Sequence, residues 1–225
     1  MKVLYSLTEN YYKHLHFSLD SLRKHNDVEK VYVFAQNDDI GRNDCEVINL
    51  SGQQFIRHDS PSYRSQYSIM SVLRVVAPLL IREDKVLYLD ADTIVTDNLL
   101  PVWETDMTGK WVGWVSEERA HYRPYGDKYF NAGVLLMNLE QMRKDKVAEQ
   151  LLDLLNTEKL KYYEQDALNK LTDQSHYVEL PLRYNEAFCT GFTKNPAIVH
   201  YAGFPDWYEN KTTMYRWEYK LGGNT

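Results

Sequence analysis

The sequence contains few cysteines, no long apolar run and no excess of positive charge. Cys45 and Cys189 are its two cysteines, which is too few for a disulfide-based scaffold. The formal net charge of −6 gives no electrostatic footprint for nucleic acid, so we expect no nucleic-acid partner. No stretch approaches the roughly 18 apolar residues that a membrane-spanning helix needs, and we predict none.

The first residues lack the pattern of a secretory signal, and this sets the expected compartment. The apolar run within MKVLYSLTENYY is too short for the hydrophobic segment of a signal peptide. We therefore expect a cytoplasmic protein. Residues 208–225 form an aromatic and basic C-terminal extension, which we expect to contact another molecule or to touch the inner face of a membrane peripherally.

What the sequence does contain is typical of an α/β fold. Hydrophobic residues make up 44% of the chain and charged residues 26%, enough for a sizeable core. Short apolar runs alternate with segments of helical periodicity, which predicts a mixed, mostly parallel sheet with helices on both faces. No repeat or flexible linker interrupts this pattern, so we predict one domain over residues 1–225.

The predicted strands and helices follow each other closely. Strands are predicted at residues 3–7, 31–35, 45–50, 85–89, 111–115, 133–139, 177–182 and 197–201. Helices are predicted at about residues 11–25, 65–80, 142–156 and 164–171, from apolar residues at helical spacing.

The stretch KVLYLDADTIV, residues 85–95, places two carboxylates directly after a strand of buried type. On extended backbone, residues two apart point the same way, so Asp90 and Asp92 can converge on one point. Two neighbouring carboxylates repel each other unless a cation lies between them. Carboxylates suit hard ions such as Mg²⁺ or Mn²⁺, particularly when phosphate oxygens complete the coordination shell.

The carboxylate pair has two other interpretations. Aspartates after a strand also form turns, without any ligand. The string LDADT, residues 89–93, also matches the start of haloacid-dehalogenase-like phosphatases, where the first aspartate is a nucleophile. That family places the motif near the N-terminus and needs a later lysine and acidic pair. Here GDKYFN, residues 126–131, ends in Asn131 where a carboxylate is needed.

Four stretches follow one another in a recognisable order. They are VLYLDADT (86–93), YFNAGVLLMNL (129–139), YYEQDALN (162–169) and VHYAG (199–203). Their order and spacing resemble glycosyltransferase family 8, and the resemblance runs from Lys2 to about Trp207. It implies a GT-A fold and a retaining transferase that uses a nucleotide-sugar donor.

The resemblance implies a metal and nucleotide site. Asp90, Asp92 and His200 would hold Mn²⁺, or Mg²⁺, and the ion would clamp the diphosphate of the donor. Tyr11 would stack on a uracil ring, while Thr8 stands where some relatives carry an aspartate for the uracil edge. The positions implied for the nucleotide-sugar are Thr8, Asn10, Tyr11, Arg74, Asp90, Ala91, Asp92 and Gly203.

The resemblance also implies a sugar pocket and a mechanism. Gln165 and Glu164 are the catalytic candidates, and Gln165 stands where a protein nucleophile would be needed. Because an amide oxygen is a poor nucleophile, we expect front-face substitution, with Gln165 stabilising positive charge. Gly133 would let the backbone approach a ligand closely. The implied sugar-binding positions are Glu117, Asn131, Ala132, Glu164, Gln165 and Asp166.

One stretch departs from the family pattern. HYAGFPDW, residues 200–207, lacks the lysine that relatives carry before Pro-Trp to contact the diphosphate. Lys211, or an arginine of the 116–128 loop, would have to replace it. We expect that loop to cover the donor, with Arg119, His121 and Tyr122 near the acceptor.

Together these features predict a bacterial Mn²⁺-dependent hexosyltransferase. It would move galactose or glucose from UDP-galactose or UDP-glucose to a glycan, lipo-oligosaccharide or glycoprotein acceptor, with retention. The missing lysine and Thr8 motivate an alternative, a nucleotide-sugar-binding protein with little transferase activity. The phosphatase is the weaker alternative.

Overall fold

The structure is a computed structural model, described for residues 1–63, 69–117, 125, 128–187 and 193–202. Its strands are β1 (Lys2–Ser6), β2 (Lys30–Ala35), β3 (Glu46–Asn49), β4 (Lys85–Leu89), β5 (Thr93–Val95), β6 (Val112–Ser116), β7 (Phe130–Asn138), β8 (Tyr177–Glu179), β9 (Glu186–Ala187) and β10 (Ile198–His200). Its helices are α1 (Tyr12–His25), α2 (Ile69–Val72), α3 (Ala77–Leu80), α4 (Leu100–Trp103), α5 (Leu139–Lys144), α6 (Val147–Thr157) and α7 (Tyr163–Leu171). Short 3₁₀ turns occupy Glu9–Tyr11, Leu73–Val76 and Leu182–Tyr184.

The main sheet has seven strands in the order β3-β2-β1-β4-β7-β6-β8. β7 runs antiparallel to both of its neighbours, and the remaining neighbours pair in parallel. A second, small sheet has the order β5-β10-β9. This mixed, mostly parallel arrangement confirms the α/β architecture predicted from the alternation of apolar runs and helical segments.

Both faces of the main sheet are covered, and each carries its own apolar core. Successive residues of β1 enter different cores, with Leu4 on one side and Val3 and Tyr5 on the other. One core contains the buried face of α1, and the other contains apolar residues of α6 and α7. The near-continuous apolar strands of the sequence are explained by this burial on both faces.

Two predicted helices are interrupted in the structure. The helix expected at 65–80 is α2, a 3₁₀ turn and α3 in succession, and residues 65–68 lie outside the described ranges. Pro78 is in the first turn of α3 and not in the last turn of a long helix, because proline has no N–H to continue an upstream helix. The helix expected at 142–156 breaks before Val147, where Lys146 has a left-handed backbone with φ of 54°.

Within the part of the chain that the structure describes, no helix combines the length and the apolar character needed to cross a bilayer. The C-terminal extension of residues 208–225 lies outside the described residues, so its proposed contact with a membrane or acceptor stays a prediction.

Candidate functional site

Strand pairing brings the two aspartates and the histidine together. β4 ends at Leu89, and a turn at Ala91 and Asp92 leads into β5. β5 pairs antiparallel with β10, so that His200 stands opposite Thr93, and the N–H of Tyr201 donates to the carbonyl of Asp92 at 2.8 Å. His200 therefore comes to lie directly beside the turn.

The three side chains are close enough to bind one ion. His200 Nε2 lies 3.3 Å from Asp92 Oδ1 and 3.6 Å from Asp90 Oδ2. One potential ligand atom from each residue lies within 4.8 Å of the others. Two carboxylate oxygens and an imidazole nitrogen fit a divalent cation such as Mn²⁺, which satisfies the chemistry implied by the sequence. The backbone differs from the expected extended one, since a turn makes the carboxylates converge.

The two oxygens of Asp90 have different surroundings. Oδ1 accepts a hydrogen bond from the Tyr88 hydroxyl at 2.5 Å and an ion-paired N–H from Arg74 at 2.9 Å. Oδ2 faces His200. The donors on Oδ1 fix the carboxylate plane, so Asp90 presents Oδ2 to any ion held by the triad.

The backbone of Gly133 lies directly against the side chains of His200 and Asp90. A Cβ built on Gly133 would lie 2.1 Å from His200 Cε1, 2.7 Å from His200 Nδ1 and 2.8 Å from Asp90 Oδ2. The carbonyl of Gly133 also accepts from the N–H of Asp90 at 2.7 Å. The expected close approach of the Gly133 backbone is thus an approach to the candidate metal ligands.

The acid–imidazole pair is electrostatically coupled. Burial by itself lowers the pKa of His200, but Asp92 and Asp90 outweigh it and raise that pKa above its usual value. Burial likewise raises the pKa of Asp92, and His200 outweighs it and holds that pKa below its usual value. Each group thus favours the charged form of the other, and a bound cation would compete with a proton on His200.

Arg74 connects the metal side of the site to α7. It is 3% exposed, its NH2 lies 3.4 Å from Glu164 Oε1, and its NH1 donates to the carbonyl of Ala132 at 2.6 Å. Its guanidinium also lies 4.3 Å from the ring centroid of Tyr88. Burial raises the pKa of Glu164, although Arg74 opposes the rise. Arg74 thus lies beneath the site and orients Asp90 and Glu164, while its expected contact with the donor stays a prediction.

Helix α7 is joined to the start of β7 by polar side chains. Gln165 Oε1 accepts from the N–H of Ala132 at 2.9 Å, and Gln165 Nε2 donates to the Tyr129 hydroxyl at 3.1 Å. Asn169 binds both the N–H and the carbonyl of Phe130, at 2.8 and 2.9 Å. Asn169 could not be singled out from the sequence, since its partner is a backbone segment almost forty residues away.

The carboxylate of Asp166 supports the local structure at the start of α7. Its carboxylate is fully buried. Oδ1 accepts from the Tyr129 hydroxyl at 2.5 Å, and Oδ2 accepts from the N–H groups of Lys161 and Tyr162 at 2.8 and 2.9 Å. These bonds stabilise the entry to α7, where Tyr163 has a left-handed backbone with φ of 44°. The expected contact of Asp166 with sugar hydroxyls stays a prediction.

Asn131 and Glu117, two of the expected sugar-binding residues, meet at the start of β7 and the end of β6. Asn131 Nδ2 donates to Glu117 Oε2 at 3.1 Å. Both residues are buried, and Ala132 adjoins them along β7. Asn131 also contacts Asn185, which the sequence did not identify because it belongs to none of the motifs.

The expected nucleotide residues follow β1 at the rim of the triad. Thr8 precedes the 3₁₀ turn, Asn10 is exposed, and Tyr11 is 37% exposed. Tyr11 packs on His14, with 4.7 Å between the ring centroids. Burial raises the pKa of Tyr11, and Asp92 adds to the rise, which reflects how near the phenol is to the acidic turn.

Several predicted positions fall outside the described residues. They are Arg119, His121 and Tyr122 of the loop, Gly203, the stretch 204–207 and Lys211. Their roles, including the replacement of the family lysine, stay predictions. Ala91 is buried between the two aspartates, where its backbone forms the turn.

The comparisons with known proteins agree on one family. The profile described as Glycosyl transferase family 8 matches residues 2–209. The glycosyltransferase GlyA of Streptococcus pneumoniae is 29% identical over 214 residues, which cover 88% of this chain and 30% of GlyA. The chain thus spans less than a third of that curated relative.

Two solved structures show the fold. The crystal structure of the glycosyltransferase GlyE of Streptococcus pneumoniae superposes with a TM-score of 0.72 at 25% identity, covering 98% of this chain and 60% of that one. The galactosyltransferase LgtC, in complex with donor and acceptor sugar analogues, gives 0.68 at 23% identity, covering 100% and 96%. This likeness confirms the GT-A fold. Since the family profile spans nearly the whole sequence, the chain belongs to glycosyltransferase family 8.

Proposed function

We propose that the protein is a retaining hexosyltransferase that moves galactose or glucose from a UDP-sugar to a glycan acceptor. The observation that carries the proposal is the convergence of Asp90, Asp92 and His200 between an aromatic rim and a polar pocket. Tyr11 lies at that rim, and Asn131 and Glu164 line the polar side. A UDP-sugar would place its base near Tyr11, its diphosphate at the triad and its sugar near Asn131 and Glu164.

The acidic triad would hold Mn²⁺, with Mg²⁺ as the alternative ion. A divalent cation there would act as a Lewis acid that binds the diphosphate and would stabilise the negative charge of the leaving group. The imidazole of His200 favours Mn²⁺, because Mg²⁺ prefers oxygen ligands and retains its water. Asp90 would bind through Oδ2, since Tyr88 and Arg74 already occupy Oδ1.

The environment of Gln165 supports front-face substitution. Its amide oxygen accepts the N–H of Ala132, which fixes it near the sugar side, and an amide is a poor nucleophile in any case. The second lone pair of that oxygen can face positive charge that develops at the anomeric carbon. Glu164, held by Arg74, would position sugar hydroxyls, and the departing diphosphate would accept the proton of the acceptor.

The donor and acceptor follow from the relatives. LgtC is a galactosyltransferase solved with donor and acceptor sugar analogues, and its chain has nearly the same extent as this one. We therefore propose UDP-galactose or UDP-glucose as donor, and a lipo-oligosaccharide, other glycan or glycoprotein sugar as acceptor. Residues 208–225 would bring the enzyme to a bacterial inner membrane face, where such acceptors are assembled.

The sequence also suggested two alternatives to this proposal, a phosphatase and a binding protein. The phosphatase interpretation is wrong, because the chain belongs to a family of a different fold. The second alternative is a nucleotide-sugar-binding protein with little transferase activity. It is motivated by the absence from HYAGFPDW of the lysine that contacts the diphosphate in relatives. Tight binding of UDP with Mn²⁺, without hydrolysis or transfer of any sugar, would support that binding protein.

The test is a screen of UDP-sugars for Mn²⁺-dependent hydrolysis and transfer. We expect turnover with UDP-galactose or UDP-glucose, and a loss of about 100-fold or more in Asp92→Asn because the ion loses a charged ligand. Asp59→Asn is the matched control, since the side chain of Asp59 is 83% exposed. Equal turnover by Asp92→Asn and the parent would contradict the assignment.

A further inference from the structure

His200 is bound on the side away from the aspartates by a chain of buried polar groups. Its Nδ1 lies 2.9 Å from Asn185 Oδ1. Asn185 Nδ2 donates to Asn131 Oδ1 at 2.9 Å, and Asn131 Nδ2 donates to Glu117 Oε2 at 3.1 Å. All four residues are at most 9% exposed. This series of hydrogen bonds thus connects His200, a candidate metal ligand, to the carboxylate of Glu117 at the end of β6.

Each hydrogen bond in this series can run in only one direction, because the series includes a backbone N–H, which can only donate, and a carboxylate, which accepts. The backbone N–H of Gly133 can only donate, and it lies 2.9 Å from the atom of Asn131 that must therefore be the oxygen. The NH₂ of Asn131 then faces Glu117, whose carboxylate accepts. Asn185 must turn its own NH₂ toward Asn131, which leaves its oxygen for His200.

This orientation selects one tautomer of His200. Because Asn185 offers an oxygen, Nδ1 of His200 must carry a proton and donate it. The lone pair of the neutral ring is then on Nε2, the atom that lies near Asp92 and Asp90. Outer partners of this kind fix the rotation and tautomer of metal-binding histidines.

The backbone around Asn185 is itself held in place. Its N–H donates to the carbonyl of Leu182 at 3.0 Å, and its carbonyl accepts from the N–H of Ala187 at 2.8 Å. The next residue, Glu186, begins β9, which pairs in parallel with the strand that carries His200. Asn185 is therefore a fixed acceptor and not a side chain that can follow the imidazole.

We propose that Asn185 is a positioning residue that prepares His200 Nε2 for the metal ion and joins it to the sugar-side Asn131. The inference rests on the proposed function, because it requires His200 to bind a metal. It predicts that Mn²⁺ affinity depends on a hydrogen-bond acceptor in the side chain of residue 185. The volume of that side chain should not affect the affinity. Any side chain that offers an acceptor to Nδ1–H preserves metal binding.

The test compares three substitutions, Asn185→Asp, Asn185→Leu and Asn185→Ala. The affinity for Mn²⁺ alone is measured by electron paramagnetic resonance of the unbound ion, and circular dichroism and thermal unfolding verify the fold. We expect Asn185→Leu and Asn185→Ala to weaken Mn²⁺ binding by about 10–100-fold. Asn185→Asp stays within about threefold of the parent, because a carboxylate or a carboxylic acid offers Nδ1–H an oxygen.

A merely structural role gives the reverse order, since leucine keeps the branched shape of asparagine without a charge and aspartate buries a charge. The proposal is overturned if Asn185→Leu binds Mn²⁺ as the parent does, or if Asn185→Asp loses as much affinity as Asn185→Leu. A folded parent that binds no Mn²⁺ overturns the proposed function first, and the role of Asn185 with it.

A second measurement needs no substitution and keeps the proposal testable if the variants fail to fold. Nitrogen-15 NMR of the parent saturated with the diamagnetic ion Mg²⁺ reports which ring nitrogen of His200 carries the proton. We expect the proton on Nδ1. A proton on Nε2 overturns the proposal.

Discussion

At the scale of single residues, Gly133 shows how closely the backbone of β7 approaches the candidate ion ligands. A methyl group there would overlap the imidazole of His200, whose position is fixed by Asn185, and the carboxylate of Asp90, which Tyr88 and Arg74 hold. Neither neighbour can move away without losing a hydrogen bond. The absence of a side chain at this position is therefore a requirement of the ion site.

We predict that Gly133→Ala weakens Mn²⁺ binding by about tenfold or more, through displacement of His200. Overpacking should also lower the free energy of unfolding by about 1–3 kcal/mol. Isothermal calorimetry with Mn²⁺ and UDP, together with urea denaturation, measures both effects. Gly52→Ala is the control, since a Cβ at Gly52 meets nothing within 4 Å. Unchanged Mn²⁺ affinity in Gly133→Ala would show that the close approach is unimportant.

The His200–Asp92 pair predicts a pH dependence of stability in the metal-free protein. The folded pKa of His200 is raised, so its contribution is complete below the usual value of about 6.5 and is lost as pH rises through the folded pKa. The folded pKa of Asp92 is lowered, so its contribution is present above about 3.9 and is lost as pH falls. Stability from this pair is therefore greatest between those two usual values.

The measurement is urea denaturation of the metal-free parent and of His200→Gln over a series of pH values. We expect the difference between the two proteins to shrink as pH rises above neutral. Mn²⁺ affinity should follow the opposite trend, with a gain of up to about tenfold per pH unit while His200 is protonated, because the ion competes with the proton. A constant difference in stability across this range would refute the coupling.

At the scale of strands and helices, local pattern predicted the main sheet well. Each of the eight predicted strands overlaps an observed one, because continuous apolar runs buried on both faces are a strong local signal. The short strands β5 and β9 were missed. They are stabilised by pairing with β10, which is contiguous with neither of them in the sequence, so their own composition carries little information.

Helix continuity was harder to predict than helix position. Periodicity in residues 142–156 is that of one helix, and the break at Lys146 depends on a left-handed backbone that the sequence does not reveal. The polar residues of α7 show the same limit. Their motif was identified, yet Asp166 proved to be a buried acceptor for the helix entry and Asn169 a partner of the β7 backbone.

We predict that Asn169→Leu separates the start of β7 from α7. The substitution leaves the N–H and carbonyl of Phe130 without their side-chain partner, which should destabilise the fold by about 2–4 kcal/mol. Since α7 also carries Glu164 and Gln165, sugar transfer should fall in the surviving folded protein as well. Thermal unfolding and turnover measure the two effects.

Lys170→Ala on the same helix is the control for Asn169→Leu. Lys170 is exposed and pairs with Glu158, so its loss should cost at most about 1 kcal/mol. Equal stability of the two variants would mean that the Asn169 bonds do not hold α7 to β7.

At the scale of the whole molecule, the site is assembled from segments spread along the chain. The turn after β4, the end of β10 and the start of α7 each supply part of it, and the two sheets bring them to one place. The order of four motifs was enough to predict the fold and to select the three side chains of the candidate ion site. The motifs could not identify Asn185, because its role depends on a hydrogen bond with His200 that forms only in the folded protein.

The most direct test is the position of manganese in a crystal grown with Mn²⁺ and UDP, located by anomalous scattering. We predict one ion bound by Asp90 Oδ2, Asp92 and His200 Nε2, at about 2.0–2.3 Å, with both phosphates of UDP on the same ion. An anomalous peak elsewhere, or UDP bound here without an ion, would contradict it.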